Sequence, residues 1–223
     1  MPGARITLDE AVEISRTGDL WLFRGDAAAD RAVRVFTNAP VNHVGMAVVL
    51  DDLPPLMWHA ELGRSLPDVW TGTTQRGAQL HDLRDAVTIW SAKYGQEAWL
   101  RQLDARITRE MEDALLRSIA RLDGTPFPST AAMAGKWLAA RLPRRGTDRA
   151  MARSAYCAEV VAKAYQAMGL LPAGRDAAFY DPGRFWSGDG LDLIGEDVWL
   201  SAEIEVQIPA GNVPGELPAS PRV

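Results

Sequence analysis

Few residues in this chain offer chemistry. Its one cysteine, Cys157 in SAYCAEVVAKAYQAMGLL, lies far downstream of a His-headed apolar run, NHVGMAVVL from Asn42 to Leu50. A thiolate forms at neutral pH when an imidazole stands beside it, so a lone cysteine with a histidine elsewhere reads as a nucleophile and its base. Cys157, Val160, Val161, Ala164 and Met168 fall on one helical face, which turns Cys157 toward whatever that helix packs on. A helix beginning just after Ser154 also puts Cys157 in its first turn, where unpaired backbone N–H groups and the helix dipole favour an anion. The Cys157 N–H is then an oxyanion donor. The competing reading makes Cys157 a small hydrophobe on a core face.

A catalytic imidazole needs a neighbour to fix its tautomer. The runs His43 to Leu50 and Leu56 to Glu61 flank Asp51-Asp52-Leu53-Pro54-Pro55. A chain reversal near Asp51 or Asp52 sets His43 opposite His59 or Glu61, which share a strand face. Both are candidate orienters. His43, His59 and Cys157 also carry nitrogen and sulfur that zinc accepts, but no paired-ligand spacing supports a metal, and thiol–imidazole chemistry requires no cofactor. His81, in the alternating run GAQLHDL, reads as structural or exposed.

The elements that must position these groups can be read coarsely. A short helix spans Leu8 to Ser15, and LWLF at Leu20 to Phe23 is a buried strand stopped at Arg24-Gly25. Helical spacing covers Asp30 to Phe36 and ends before Pro40. After the two strands of the His43 hairpin, Gly77 to Leu83 is predicted as a strand with polar residues outward. TIW near Trp90 and EAWLRQL near Trp99 suggest more strands. From Thr108 the pattern turns helical to Leu122, a second helix covers Ala131 to Leu142, and the third runs from Ser154 to Met168 with Gly169 closing it. Val198 to Ile208 is the last predicted strand. The fold class is α+β, a small antiparallel sheet or half-barrel packed against helices.

Nothing divides residues 1–208 internally, so they read as one domain, and the Pro/Gly-rich stretch 209–223 reads as a flexible tail. A chain of 223 residues, 47% hydrophobic, buries a core without staples, and one cysteine excludes an internal disulfide. A net charge of −5 with interspersed signs excludes a nucleic-acid stripe. No long apolar segment suggests an integral membrane span or a secretory signal, so the expected location is cytoplasmic. The oligomeric state is open.

GDLWLFRG at Gly18, NHVGMAVVL at Asn42, WHAELG at Trp58, GAQLHDL at Gly77, GTPFPS at Gly124 and YCAEVVAKAYQAMGLL at Tyr156 come in a telling order. In that order the chain resembles the circularly permuted papain-fold cysteine hydrolases, the YiiX-like branch of the NlpC-type peptidases, related to the lecithin-retinol acyltransferase group. The resemblance implies a permuted papain-like (NlpC-type) fold in which the His strand precedes the Cys helix. It also implies Cys157 as nucleophile, His43 as base and His59 as the third residue, with Glu61 in reserve because the YiiX-like branch often has Glu there. Ala158 stands where such proteins commonly carry Ser. The implied activity is a thiol hydrolase or acyltransferase that cleaves an amide or ester bond through a Cys157 thioester. Its substrate would be a small molecule, a lipid amide or a peptide. A catalytically silent lipid- or peptide-binding module on the same fold is the alternative.

Overall fold

The structure is a computed structural model that describes residues 3–61, 65–124, 148–187 and 190–209. Seven strands form one sheet: β1 (Arg5–Thr7), β2 (Leu20–Arg24), β3 (His43–Val48), β4 (Leu56–Glu61), β5 (Gly77–Asp82), β6 (Glu97–Arg101) and β9 (Ile204–Gln207). Their order is β1-β9-β6-β2-β3-β4-β5. Every neighbouring pair is antiparallel except β1 with β9, which is parallel. Two short strands, β7 (Leu103–Asp104) and β8 (Trp199–Leu200), pair apart from it. The sheet is therefore larger than the small one expected. Among the described residues there is no closed barrel.

Helices cover both faces. The side chains of even-numbered residues Leu20, Leu22, Val44, Met46, Val48, Leu56, Trp58 and Ala60 pack with Cys157, Val160, Val161 and Ala164 of a long helix, Asp148–Ala167. The odd-numbered Trp21, Phe23, Ala47 and Met57 pack with Leu8, Ala11 and Val12 of α1 (Leu8–Ile14) and with Leu83, Ala86, Val87 and Trp90 of α3 (Leu83–Tyr94). Between them in sequence lie α2 (Ala28–Thr37) and, later, α4 (Arg109–Leu122); the long helix is α5. Strands covered on both sides read as continuous apolar runs, as LWLF and VGMAVV do.

Three expectations are corrected. TIW at Thr88 to Trp90 is helix, not strand. Asp82 accepts a hydrogen bond from the Asp85 N–H and so starts α3, while Gly95 at φ 61° closes it with its N–H on the Ser91 carbonyl. Gln79 and His81 of β5 do not face water: both are buried, because α3 folds back over that face. The helix expected from Ser154 begins at Asp148, so Cys157 sits in its interior and not in its first turn.

Val198 to Ile208 is also not one strand. The chain leaves β8 at Ser201 and enters the main sheet as β9, with the Arg101 guanidinium holding the corner through the Phe185, Leu200 and Ser201 carbonyls. The expected helix Ala131 to Leu142 and the tail 210–223 lie outside the described residues. No described helix is long and apolar enough to cross a membrane.

A buried polar contact ties helix α5 to the turn that enters β2. Tyr165, fully buried, donates its hydroxyl to the carbonyl of Gly18, which stands at φ 96° in the turn entering β2. Burial holds the Tyr165 phenol protonated, well above its ordinary range. Tyr165→Phe removes the donor and leaves a buried carbonyl unsatisfied, so it should lower stability by about 1–2 kcal/mol. Urea unfolding measures this, and an unchanged midpoint would remove the contact from the account of how α5 is held.

Candidate functional site

The hairpin expected from the sequence forms, with Met46 opposite Trp58, Ala47 opposite Met57 and Val48 opposite Leu56. Continued to the end of both strands, that register sets His43 opposite Glu61 and Gly45 opposite His59. All four therefore point to the α3 face, since direct cross-strand partners share a face. Gly45 has a local purpose. A Cβ there would meet Met57 Sδ at 2.3 Å, so the missing side chain makes room for Met57, while His59 Cβ at 3.4 Å would be in ordinary contact.

β5 adds its own odd-numbered residues. Gln79 pairs with His59 and His81 with Met57. The result is that all three histidines of the chain converge on one side of the sheet. The rings of His43 and His59 meet edge to face at 5.4 Å, and His59 and His81 rings lie 4.8 Å apart. His59 Nε2 and His81 Nδ1 are 3.0 Å apart, a hydrogen bond whose donor depends on the tautomers. Trp90, aimed by α3, covers the group: its ring is 5.1 Å from His43 and 4.6 Å from His59. Both carboxylate oxygens of Glu61 accept from the Ser65 hydroxyl, at 3.0 and 2.9 Å, and the Trp90 indole N–H reaches the same hydroxyl at 3.4 Å.

His59 and His81 are fully buried, Glu61 is 3% exposed and His43 8%. His43, Glu61, Trp90, Tyr94 and Gln96 line a shallow recess of about 10 Å³. Of the three imidazoles, His43 is the one at that opening.

Cys157 is elsewhere. It is fully buried among Tyr156, Ala158, Val160 and Val161 in the layer under α5, on the opposite side of the sheet from His43 and His59. Its backbone N–H lies within a helix that starts nine residues earlier, and so belongs to the intrahelical ladder and not to an oxyanion hole. The structure thus brings His43, His59 and Glu61 together and separates Cys157 from them. Glu159 pairs with Lys163 at 2.8 Å, an i,i+4 bridge on the helix surface.

Reading from the sequence missed His81, Gln79 and Trp90. The connection between β4 and β5 is long enough to hide their register, so nothing local aligned His81 with His59. The odd parity shared by residues 59, 61, 79 and 81 was the available signal.

No family model matches the chain, and no curated protein matches it. Among solved structures it is similar to the crystal structure of the metalloprotein YiiX from Escherichia coli O157:H7, at 16% identity and a TM-score of 0.47, over 87% of this chain and 99% of that one.

Burial pushes the His81 imidazole down to about 4, against a smaller opposing pull from the Asp68 carboxylate. Asp68 itself is fully buried and accepts from the N–H groups of Trp70, Thr71 and Leu80. The unfolded chain binds a proton at His81 below its ordinary 6.5, whereas the folded chain refuses it until about 4. Stability from this group is therefore complete above pH 6.5 and lost as pH falls toward 4, by about 3 kcal/mol in all. Asp19 and Asp123, both pushed up to about 6 chiefly by burial, act in the opposite sense. They are common to wild type and variant and cancel in the comparison. His81→Gln should show a flatter fall in urea-unfolding stability between pH 6.5 and 4.5 than wild type; equal slopes would sink the assignment of the acid limb to His81.

Proposed function

We propose that the chain is a hydrolase that cleaves an amide or ester bond at the His43 opening, with His43 as general base. One observation carries this reading: the three histidines and Glu61 converge on one buried face, and His43 alone among the imidazoles meets the opening. Polar and ionisable groups are costly to bury and are concentrated where chemistry needs them.

In this reading the nucleophile is water. His43 takes its proton as the oxygen adds to the carbonyl carbon, and later gives that proton to the departing amine or alcohol. The edge of His59 and the carboxylate of Glu61 hold the ring and favour its charged form while the proton rests there. Gln96, whose side chain lines the opening, supplies an amide N–H to the developing oxyanion. The recess at His43 has a volume of about 10 Å³, room for about one water, so it suits the attacking water while the substrate carbonyl meets His43 at its mouth.

The permuted papain-like placement is the finer part of the proposal. What supports it is the order of the His strand before the Cys helix and the neighbouring of His43 with the third-residue candidates His59 and Glu61. Its thiolate version requires Cys157 on the His43 face and at a helix start, and the arrangement of α5 argues for water instead.

A panel of chromogenic short-chain esters and amides tests this. His43→Ala should lower kcat/KM by about 10²–10⁴-fold, and Cys157→Ala should stay within about threefold of wild type. Activity that survives in His43→Ala would overturn the base. Activity lost in a folded Cys157→Ala would return the nucleophile to the thiol.

A further inference from the structure

His59 and His81 stand in an arrangement that a general base at His43 does not need. A ring nitrogen of each and a carboxylate oxygen of Glu61 lie within 4.8 Å of one another, and all three residues are buried. Beside them, His81 Nε2 and both ends of the Gln79 amide are buried without a hydrogen-bond partner among the described residues. Gln79 stands directly opposite His59 and is 1% exposed. Buried polar groups in native proteins are nearly always partnered, so two orphans beside three converging ligand atoms point to a bound species.

We propose that His59, Glu61 and His81 bind one divalent transition-metal ion of the zinc type, through one nitrogen of each imidazole and one oxygen of the carboxylate. Imidazole nitrogen selects this class of ion over magnesium or calcium, which prefer all-oxygen sites. Two histidines and one glutamate with a fourth position open is a donor set that catalytic zinc sites use.

The imidazole pair stands close to the spacing zinc needs, and the Glu61 oxygen, within 4.8 Å of it, would close by up to about 1.5 Å. At zinc–nitrogen bonds of about 2.0–2.1 Å, tetrahedral ligand atoms are about 3.3 Å apart. His59 Nε2 and His81 Nδ1 are at 3.0 Å and need only open by a few tenths of an ångström. Whichever of these two nitrogens now carries the shared proton passes it to the other nitrogen of its own ring, so the imidazole pair binds the cation with no net change in protonation. His81 is neutral at pH 7, with burial holding it near 4, so it has no second proton to lose. Ser65, bonded to both Glu61 oxygens, and Trp90, bonded to Ser65, make the supporting shell that orients the carboxylate. An imidazole bound through one nitrogen presents its other N–H to an acceptor, and the Gln79 amide oxygen is an acceptor on the same face.

The site does not depend on the hydrolase reading, since its test is binding and not turnover. The full chain, stripped with a chelator and dialysed, is titrated with zinc against a chromophoric competitor, and separately with cobalt(II) followed by visible absorption. The expected result is one equivalent per chain with a Kd below about 1 μM, and a cobalt spectrum of four or five coordination without a thiolate charge-transfer band. Glu61→Gln and His81→Asn should each weaken zinc by about a hundredfold or more, while Cys157→Ala binds as wild type does. Should the variants fold poorly, the wild-type stoichiometry and cobalt spectrum still decide whether the chain holds one four- or five-coordinate ion without a thiolate ligand. Binding only at millimolar zinc, a thiolate band, or equal affinity in folded Glu61→Gln and His81→Asn would each overturn the proposal.

Discussion

Successive side chains on a β-strand point to opposite faces, and the pleat of β3, β4 and β5 decides the character of this molecule. Odd-numbered residues on these strands turn to α3 and even-numbered ones to α5. That rule puts His43, His59, Glu61, Gln79 and His81 in one layer and Val44, Trp58 and Ala60 in the other. It also fixes which helix each layer meets. α3 brings Trp90 and Tyr94 to the imidazoles, and α5 brings Cys157 to an apolar layer that the imidazoles do not reach. A slip of one residue in the β3–β4 register would exchange the two layers completely.

The polar layer survives burial through mutual satisfaction. Glu61 is bonded by Ser65, Ser65 is reached by Trp90, and His59 is bonded to His81. Asp68 spends its carboxylate on three backbone N–H groups and lies close enough to act on both His81 and Asp123. Burying a charge is costly, and burial holds His81 unprotonated. Among the described residues, both ends of the Gln79 amide and His81 Nε2 are buried without a hydrogen-bond partner.

On the other side, α5 is a packing helix for most of its described length. Tyr165, Val160, Val161 and Ala164 fill the space over β3 and β4, and the Tyr165 hydroxyl anchors α5 on the Gly18 carbonyl. Cys157 shares that environment. A reactive thiol is made by partial exposure, whereas Cys157 is fully buried in the interior of α5.

Much of the fold was legible in the sequence because it rests on local signals. The apolar runs at Leu20 and His43, the Pro-Pro turn at residues 54 and 55 and the helical period from Thr108 gave their elements, and hairpin arithmetic gave the pairing of His43 with residues on β4. Where sequence reading failed, two distant segments had to be known together. GAQLHDL alternates as a half-exposed strand does, and only the return of α3 over it buries Gln79 and His81. TIW is apolar enough for a strand, and only the Asp82 and Gly95 caps make it helix. Cys157 points inward, as its helical face required, but which side of the sheet that helix covers is set by the packing of the whole chain. The sequence by itself determined the alternation along each strand, and with it that His43, His59 and Glu61 share one face of their hairpin. The tertiary structure alone decided which of those faces meet, because the side of a sheet a helix covers follows from long-range burial, which no local pattern encodes.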